Sequence, residues 1–312
     1  MKTNAIVRIV LYSLAIILLL GILGVALGVH LFMFRSSGER NSEVTHTPER
    51  IESDRDADSS QNSLFADNDV VTAKPDEIRE IEIDWVCGNI TIATSAETDV
   101  ITVSEPNSQK ESERMVCTQK GGTLSIQYSK EAIRFPSFGV NISAEKDLVI
   151  LVPEGWECRS VEIQSASADI LIQNMVIAEL DFEGASGNCK IENSDIGSFD
   201  VDAASGNIDF CGSLNTLDFD GASSDCTLVL TNCPKSLELD GMSGELDLTL
   251  PEDCGFTAEL NGLGTNFSSE FETTTRNHSH IHGDGACRIS VESMSGSISI
   301  HKGTGSCHDH HH

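Results

Sequence analysis

The sequence predicts an all-β fold: a single-stranded, right-handed-type parallel β-solenoid of about 19-residue turns, preceded by one N-terminal transmembrane helix. Three observations predict it. A short Ala-Ser-Gly-Asn motif returns at near-constant spacing. Apolar residues alternate in short runs on either side of it. Aromatic residues make up only 5% of the 312, whereas a compact globule usually anchors its core on more Phe, Tyr and Trp.

Residues 1–8 read as a short cytoplasmic N-terminus. Ile9 to Phe34 follows as about 26 residues without an acid, Lys or Arg. At about 1.5 Å per residue this run is long enough to cross a hydrocarbon core of about 30 Å with some tilt. A cleaved signal peptide would carry a shorter apolar region of about 7–15 residues and a small-residue cleavage site. This stretch instead ends in Leu31-Phe32-Met33-Phe34, and no Cys follows it closely to serve as a lipid anchor. Residues 9–34 are therefore expected to be an uncleaved single-pass anchor. Lys2 and Arg8 before it balance Arg35 and Arg40 after it, so charge does not fix the orientation. The brevity of the N-terminus places it inside, with the C-terminal domain extracytoplasmic. Residues 35–76, rich in Ser, Asn, Asp and Glu, read as a disordered acidic linker.

From residue 77 to 302 the pattern is that of strands. Ile81 and Ile83, Ile90 and Ile92, Ile101 and Val103, Leu124 and Ile126, and Leu148 to Val152 are short, β-rich and bounded by turn formers. The repeat then becomes explicit. Ser167, Ser186, Ser205, Ser223, Ser243, Gly264 and Ser295 mark its successive copies. The first five steps are about 19, 19, 18, 20 and 21 residues, and the last is about 31, so an insertion precedes it. One strand of each repeat points Ile170/Ile172, Ile191, Ile208/Phe210, Leu228/Leu230 and Leu246/Leu248 inward. The other points Leu180/Phe182, Phe199/Val201, Leu217/Phe219 and Leu237/Leu239 to the same interior. One such repeat cannot bury its apolar face alone. It can do so by coiling, each turn stacking about 4.8 Å above the last.

The opening Ile-Glu-Ile, the Gly-Asn-Ile-Thr-Ile run, the Leu148-to-Pro153 strand followed by Glu-Gly, and the recurring Ala-Ser-Gly-Asn steps resemble a β-strand-repeat family of bacterial domains provisionally named as adhesins. The resemblance covers about Glu77 to His301. It implies an exposed β-solenoid, often tethered by one N-terminal membrane helix, of unknown function and without catalytic residues to transfer. Some members resemble proteins encoded beside envelope-stress systems.

The net charge of −29 argues against nucleic acid, because phosphate recognition needs Lys and Arg to displace counterions. No nucleophile elbow, phosphate loop, dinucleotide fingerprint or HExxH is present. The expected function is a non-catalytic binding or adhesion module at the cell surface, facing a surface protein or polymer. The alternative is an envelope-stress-associated or structural cell-envelope protein. No cofactor is expected beyond weak calcium or zinc.

Four sets of residues carry what chemistry remains. Ten Cys, none in a CxxC pair, allow disulfides in an oxidising setting. Cys189 and Cys226 fall two turns apart in the inward column of Ile170, Ile208 and Leu246. That is about 9–10 Å at a rise of about 4.8 Å per turn, beyond disulfide reach, so both are expected to be free core thiols. Cys233 and Cys254 follow their turn markers at equivalent places in adjacent turns and are the disulfide candidates. His278, His280 and His282 alternate, which on a strand would put three imidazoles on one face as a zinc-type site. The His-rich tail 303–312 adds Cys307, His308, Asp309, His310, His311 and His312. Finally, Asp181, Asp200, Asp218 and Glu238 form one outward column, and Glu183, Asp202, Asp220, Asp240 and Glu259 its neighbour. Carboxylates stacked about 5 Å apart should repel, raise some pKa values and attract calcium.

Overall fold

The computed structural model describes residues 62–63, 70–107, 113–129, 133–134, 141–142, 146–262, 265–303 and 307. These residues are all-β: one continuous 18-stranded sheet and a separate two-stranded one. The apolar alternation found in the sequence sets the strands, and parallel pairing one turn apart sets the stack. Val161, Leu180, Phe199, Leu217 and Leu237 stand in line, a rise of 19, 19, 18 and 20 residues per step. On the facing side Ile170, Cys189, Ile208, Cys226 and Leu246 form the corresponding line. The shortening to 18 is local. Asn193 adopts a φ of 50° between Glu192 and Ser194, where the register shifts by one residue.

Both lines point inward, and every member is buried. Phe182, Phe199, Phe210 and Ile172 fill the space between the two faces at 2% exposure or less. Burying each such side chain contributes about 2 kcal/mol. At the corner between faces the Ser-Gly step has a steric function. Gly206 has φ 132°, and a Cβ there would lie 1.9 Å from the carbonyl oxygen of Gly187 in the turn below. At this turn, with its positive φ, only a residue without a side chain fits, although Ala168 and Ser224 take the equivalent corner in other turns. The Asn of the motif continues the ladder. The Asn188 backbone N–H donates to Asp169 Oδ1 at 2.8 Å, that of Asn207 to Asn188 Oδ1 at 3.2 Å, and that of Glu245 to Asp225 Oδ1 at 3.0 Å. Each corner amide is thereby satisfied by the side chain of the preceding turn.

The stack departs from chain order at both ends. Serial stacking would place the Phe256–Gly262 and Thr265–Ser269 strands directly on Ser236–Pro251. Instead Cys287–Gly303 lies between them, with Leu237 beside Ile289 and Ile289 beside Ala258. The cause is the insertion before the last repeat. Its hairpin, Thr274–Arg276 and Ser279–His282, pairs antiparallel against Phe256–Glu259 and takes the outer edge. The chain can then rejoin the sheet only on the inner edge. At the other end Glu80–Ser95 is internal, flanked by Glu157–Gln173 on one side and by Thr123–Gln127 with Leu148–Pro153 on the other.

Antiparallel strands close this N-terminal end. Ile101–Ser104 pairs with Leu148–Pro153, and Val70–Ala73 pairs in turn with Ile101–Ser104. Val116–Lys120 pairs with Thr123–Gln127, and Asn62–Ser63 with Val116–Lys120. Such short caps keep a parallel edge from recruiting foreign strands. They also correct the expected linker. Val70–Ala73 belongs to the folded domain, with Val71 and Ala73 buried, so residues 35–76 are not a linker throughout. Four alternating residues are too few to stand out from their polar surroundings. No helix among the described residues is long and apolar enough to cross a membrane, and the expected anchor at 9–34 lies outside them.

A candidate acidic face

The outward positions of one face bring the carboxylates together. Glu82, Glu162, Asp181, Asp200, Asp218 and Glu238 occupy the same position in successive turns. Beside them run Asp84, Gln164, Glu183, Asp202, Asp220, Asp240 and Glu292. The columns are longer than the repeat alone suggests, because the Ile81-Glu82-Ile83 alternation and Glu292 join them. Glu259 is a correction. It lies in the first column, beyond Ser290, and not next to Asp240, because its offset from Glu238 is 21 residues and not the 19 from Asp240 that the repeat suggests.

Like charges about 4.8 Å apart repel by roughly 1 kcal/mol per pair in water. The carboxyls respond. Partial desolvation against the sheet raises Asp240 to about 6, helped by Glu292, Asp220, Asp218 and Glu238. Desolvation followed by neighbouring carboxylates also raises Asp181, Asp200 and Asp220. Cations are few here. Among the described residues Arg159 pairs with Glu80 at 3.1 Å, Arg288 lies 3.9 Å from Glu259, and Lys190 pairs with Glu192 on the opposite face. None of these reaches the line from Asp181 to Asp218 or that from Asp202 to Asp240. Among the described residues no three His, Cys, Asp or Glu converge in a way that would hold a metal ion. The columns therefore offer a line of charge, not a chelating cage.

His280 and His282 share a face of Ser279–His282, but His278 does not join them. Asn277 and His278 form the hairpin turn with φ values of 49° and 71°, so His278 leaves the strand. His280 stacks on Phe267 with ring centroids 3.9 Å apart, and His282 packs 4.8 Å from Phe271. Hydrogen bonds hold them there: His282 Nδ1 lies 2.9 Å from the Glu272 carbonyl oxygen, and His280 Nδ1 lies 3.3 Å from Thr275 Oγ1. Desolvation lowers the His280 pKa. The two rings close the end of the core; alternation misled because a two-residue turn falls inside it. His308, His310, His311 and His312 lie outside the described residues.

Cys189 and Cys226 are free and buried in the inward column. Burial pushes the Cys189 thiol up to about 12. Cys233 and Cys254 are joined in a disulfide with Cα atoms 5.3 Å apart. A second disulfide joins Cys211 to Cys307 at 5.7 Å. No spacing signal in the sequence pointed to this pair, 96 residues apart. A buried ion pair was also invisible: Lys146 Nζ and Glu105 Oε1 lie 2.6 Å apart at 3% and 2% side-chain exposure. Lys146 Nζ donates to the Glu113 carbonyl and sits over the Tyr128 ring, while the Met115 amide donates to Glu105 Oε2.

Among solved structures the chain is similar to a protein from Bacteroides fragilis NCTC 9343 provisionally named an adhesin. Their identity is 15%, over 75% of this chain and 98% of that one, with a TM-score of 0.45. A provisionally named cell adhesion protein from Clostridium sporogenes ATCC 15579 shows 9% identity over 78% and 100% of the two chains, at a TM-score of 0.32. A provisionally named lipid binding protein from Parabacteroides distasonis ATCC 8503 shows 15% identity over 74% and 95%, at 0.39. No curated protein matches the sequence. The model of the Toastrack domain, DUF4097, matches residues 78–301, and the chain belongs to that family.

Proposed function

We propose that this protein is a non-catalytic binding module, anchored in the cell membrane by residues 9–34 and displayed outside the cytoplasm, with the acidic columns as its recognition surface. The observation that carries the reading is the unbroken line of six carboxylates from Glu82 to Glu238, with a second line beside it. A regular line of negative charge complements a regular line of positive charge, so the partner is a cationic surface protein or polymer. Calcium or zinc associates weakly at most, between neighbouring carboxylates. Two disulfides support an oxidising location, and the apolar run at 9–34 supports the anchor.

The test uses the full chain in detergent with polylysine as probe, read by surface binding at low and high salt. Asp181, Asp200, Asp218 and Asp220 are replaced by Asn in one variant. Asp169, Asp209, Asp225 and Asp247, which lie off this face, are replaced in a control of equal charge. Binding should fall roughly tenfold or more in the first and little in the second. Equal losses in both would mean that net charge alone binds, and would favour a structural or stress-associated envelope role.

A further inference from the structure

The inserted strand and the disulfides around it imply a conformational device at the C-terminal end of the stack. Cys287–Gly303 is the last strand of the described chain, yet it occupies a central slot. On one side its partners run from Ser236↔Arg288 to Pro251↔Gly303, and on the other it meets Phe256–Gly262 and Thr265–Ser269. Its two ends are held differently. At the entrance, the Cys233–Cys254 disulfide joins the two flanking turns, and the Cys287 N–H donates to the Gly255 carbonyl at 2.9 Å. At the exit, Cys307 is bonded to Cys211. Cys211, Val229, Thr249 and His301 are stacked neighbours, so Cys307 is bonded three turns, about 14 Å, back from His301.

The repeat spacing admits a second order for the flanking turns. In the serial order the repeat suggests, Phe256–Ser269 would lie directly on Ser236–Pro251 at a step of 21 residues, close to the 18–20 of the rest of the coil. Ala258 would then face Leu237, and Phe267 would face Leu246, with inward positions still inward. The Cys233–Cys254 bond is compatible with both orders, since it joins the turns to each other and not to the strand between them. The Cys211–Cys307 bond favours the inserted order: the chain from His301 to Cys307 can span at most about 20 Å, ample for the three steps of about 14 Å seen here and close to its limit for the four, about 19 Å, of the serial order.

The geometry points to Cys211–Cys307 as a redox-operated latch that retains the chain-terminal strand in its slot and selects the inserted order over the serial one. A dithiol opens it. One thiolate attacks a sulfur of the bond, which breaks as a mixed disulfide forms. The second thiol displaces the protein, leaving two protein thiols and the oxidised, cyclic reductant. Cys211 and Cys307 are both partly exposed, whereas Cys254 is 2% exposed.

Amide hydrogen exchange on the full chain tests this. The chain is compared untreated, treated with dithiothreitol, and as the Cys211→Ser/Cys307→Ser double variant, which leaves Cys233–Cys254 untouched and no orphan thiol. Amides of Cys287–Gly303 should exchange at least tenfold faster in the double variant and in the reduced chain, while those of Val176–Ser205 keep their protection. Unchanged protection of Cys287–Gly303 in the double variant would overturn the latch. So would an equal loss of protection throughout the domain, which would make the bond a general staple.

Discussion

Single residues decide whether successive turns can touch. Gly206→Ala is expected to destabilise the domain by roughly 2–3 kcal/mol, because it combines a disfavoured φ with a Cβ against the Gly187 carbonyl. Denaturant unfolding measures this, and a loss below about 0.5 kcal/mol would contradict the corner geometry. The Lys146–Glu105 pair gives a second expectation. Lys146→Met should cost about 3–5 kcal/mol, since it strands a buried carboxylate, whereas Lys146→Met with Glu105→Leu should recover much of it. A double variant no more stable than the single would show that the pair contributes beyond mutual neutralisation. Cys189 should resist alkylation at pH 8 in the folded chain, because burial holds its thiol protonated and out of reach. Mass spectrometry after iodoacetamide treatment reads this directly.

Among the elements, the hairpin at Thr274–His282 separates a packing role from a ligand role. His278→Gly relieves a positive φ at the turn and is expected to stabilise the domain by about 0.5 kcal/mol, with zinc affinity unchanged by titration calorimetry. A zinc affinity that drops with this variant would restore His278 as a ligand. The same hairpin shows what a sequence makes legible. The strands, their inward rows and the two acidic columns follow from alternation and repeat spacing, which are local. The order of turns does not, since the motif at Ser295 looks like one more serial copy. Only the competition for the outer edge of Phe256–Glu259 sends its strand inward. Cys211–Cys307 and Lys146–Glu105 were hidden for a related reason: each joins segments outside the repeat frame, where spacing carries no register.

At the scale of the whole molecule, the acidic face makes stability depend on pH in an unusual direction. Asp240 titrates near 6 in the fold, above its ordinary value near 4. An acid whose folded pKa is raised binds protons more tightly in the folded state, so stability increases as pH falls from about 7 toward 4. Asp181, Asp200 and Asp220 act in the same sense. Glu77 and Glu270, whose pKa values are lowered by hydrogen bonds, oppose this only at the acidic end, as pH falls through their folded values. The melting temperature should therefore rise between pH 7 and pH 5. It should rise less when Asp240 is replaced by Asn, whose amide removes that titration. A steady fall over this range would show that the stacked carboxylates relax apart.

The central position of Cys287–Gly303 also has a consequence for synthesis. The chain is made from its N-terminus, so Ser236–Pro251 and Phe256–Ser269 emerge before the strand that belongs between them. Until it arrives, the inward rows at Leu237, Leu239 and Leu246 have only the serial partner to cover them. Most of the coil can assemble turn by turn as it leaves the ribosome, but its C-terminal end cannot reach its final order until the last strand has been released. A nascent chain stalled just short of residue 287 should therefore carry a competent but provisional end, one that must open again before the finished protein can close.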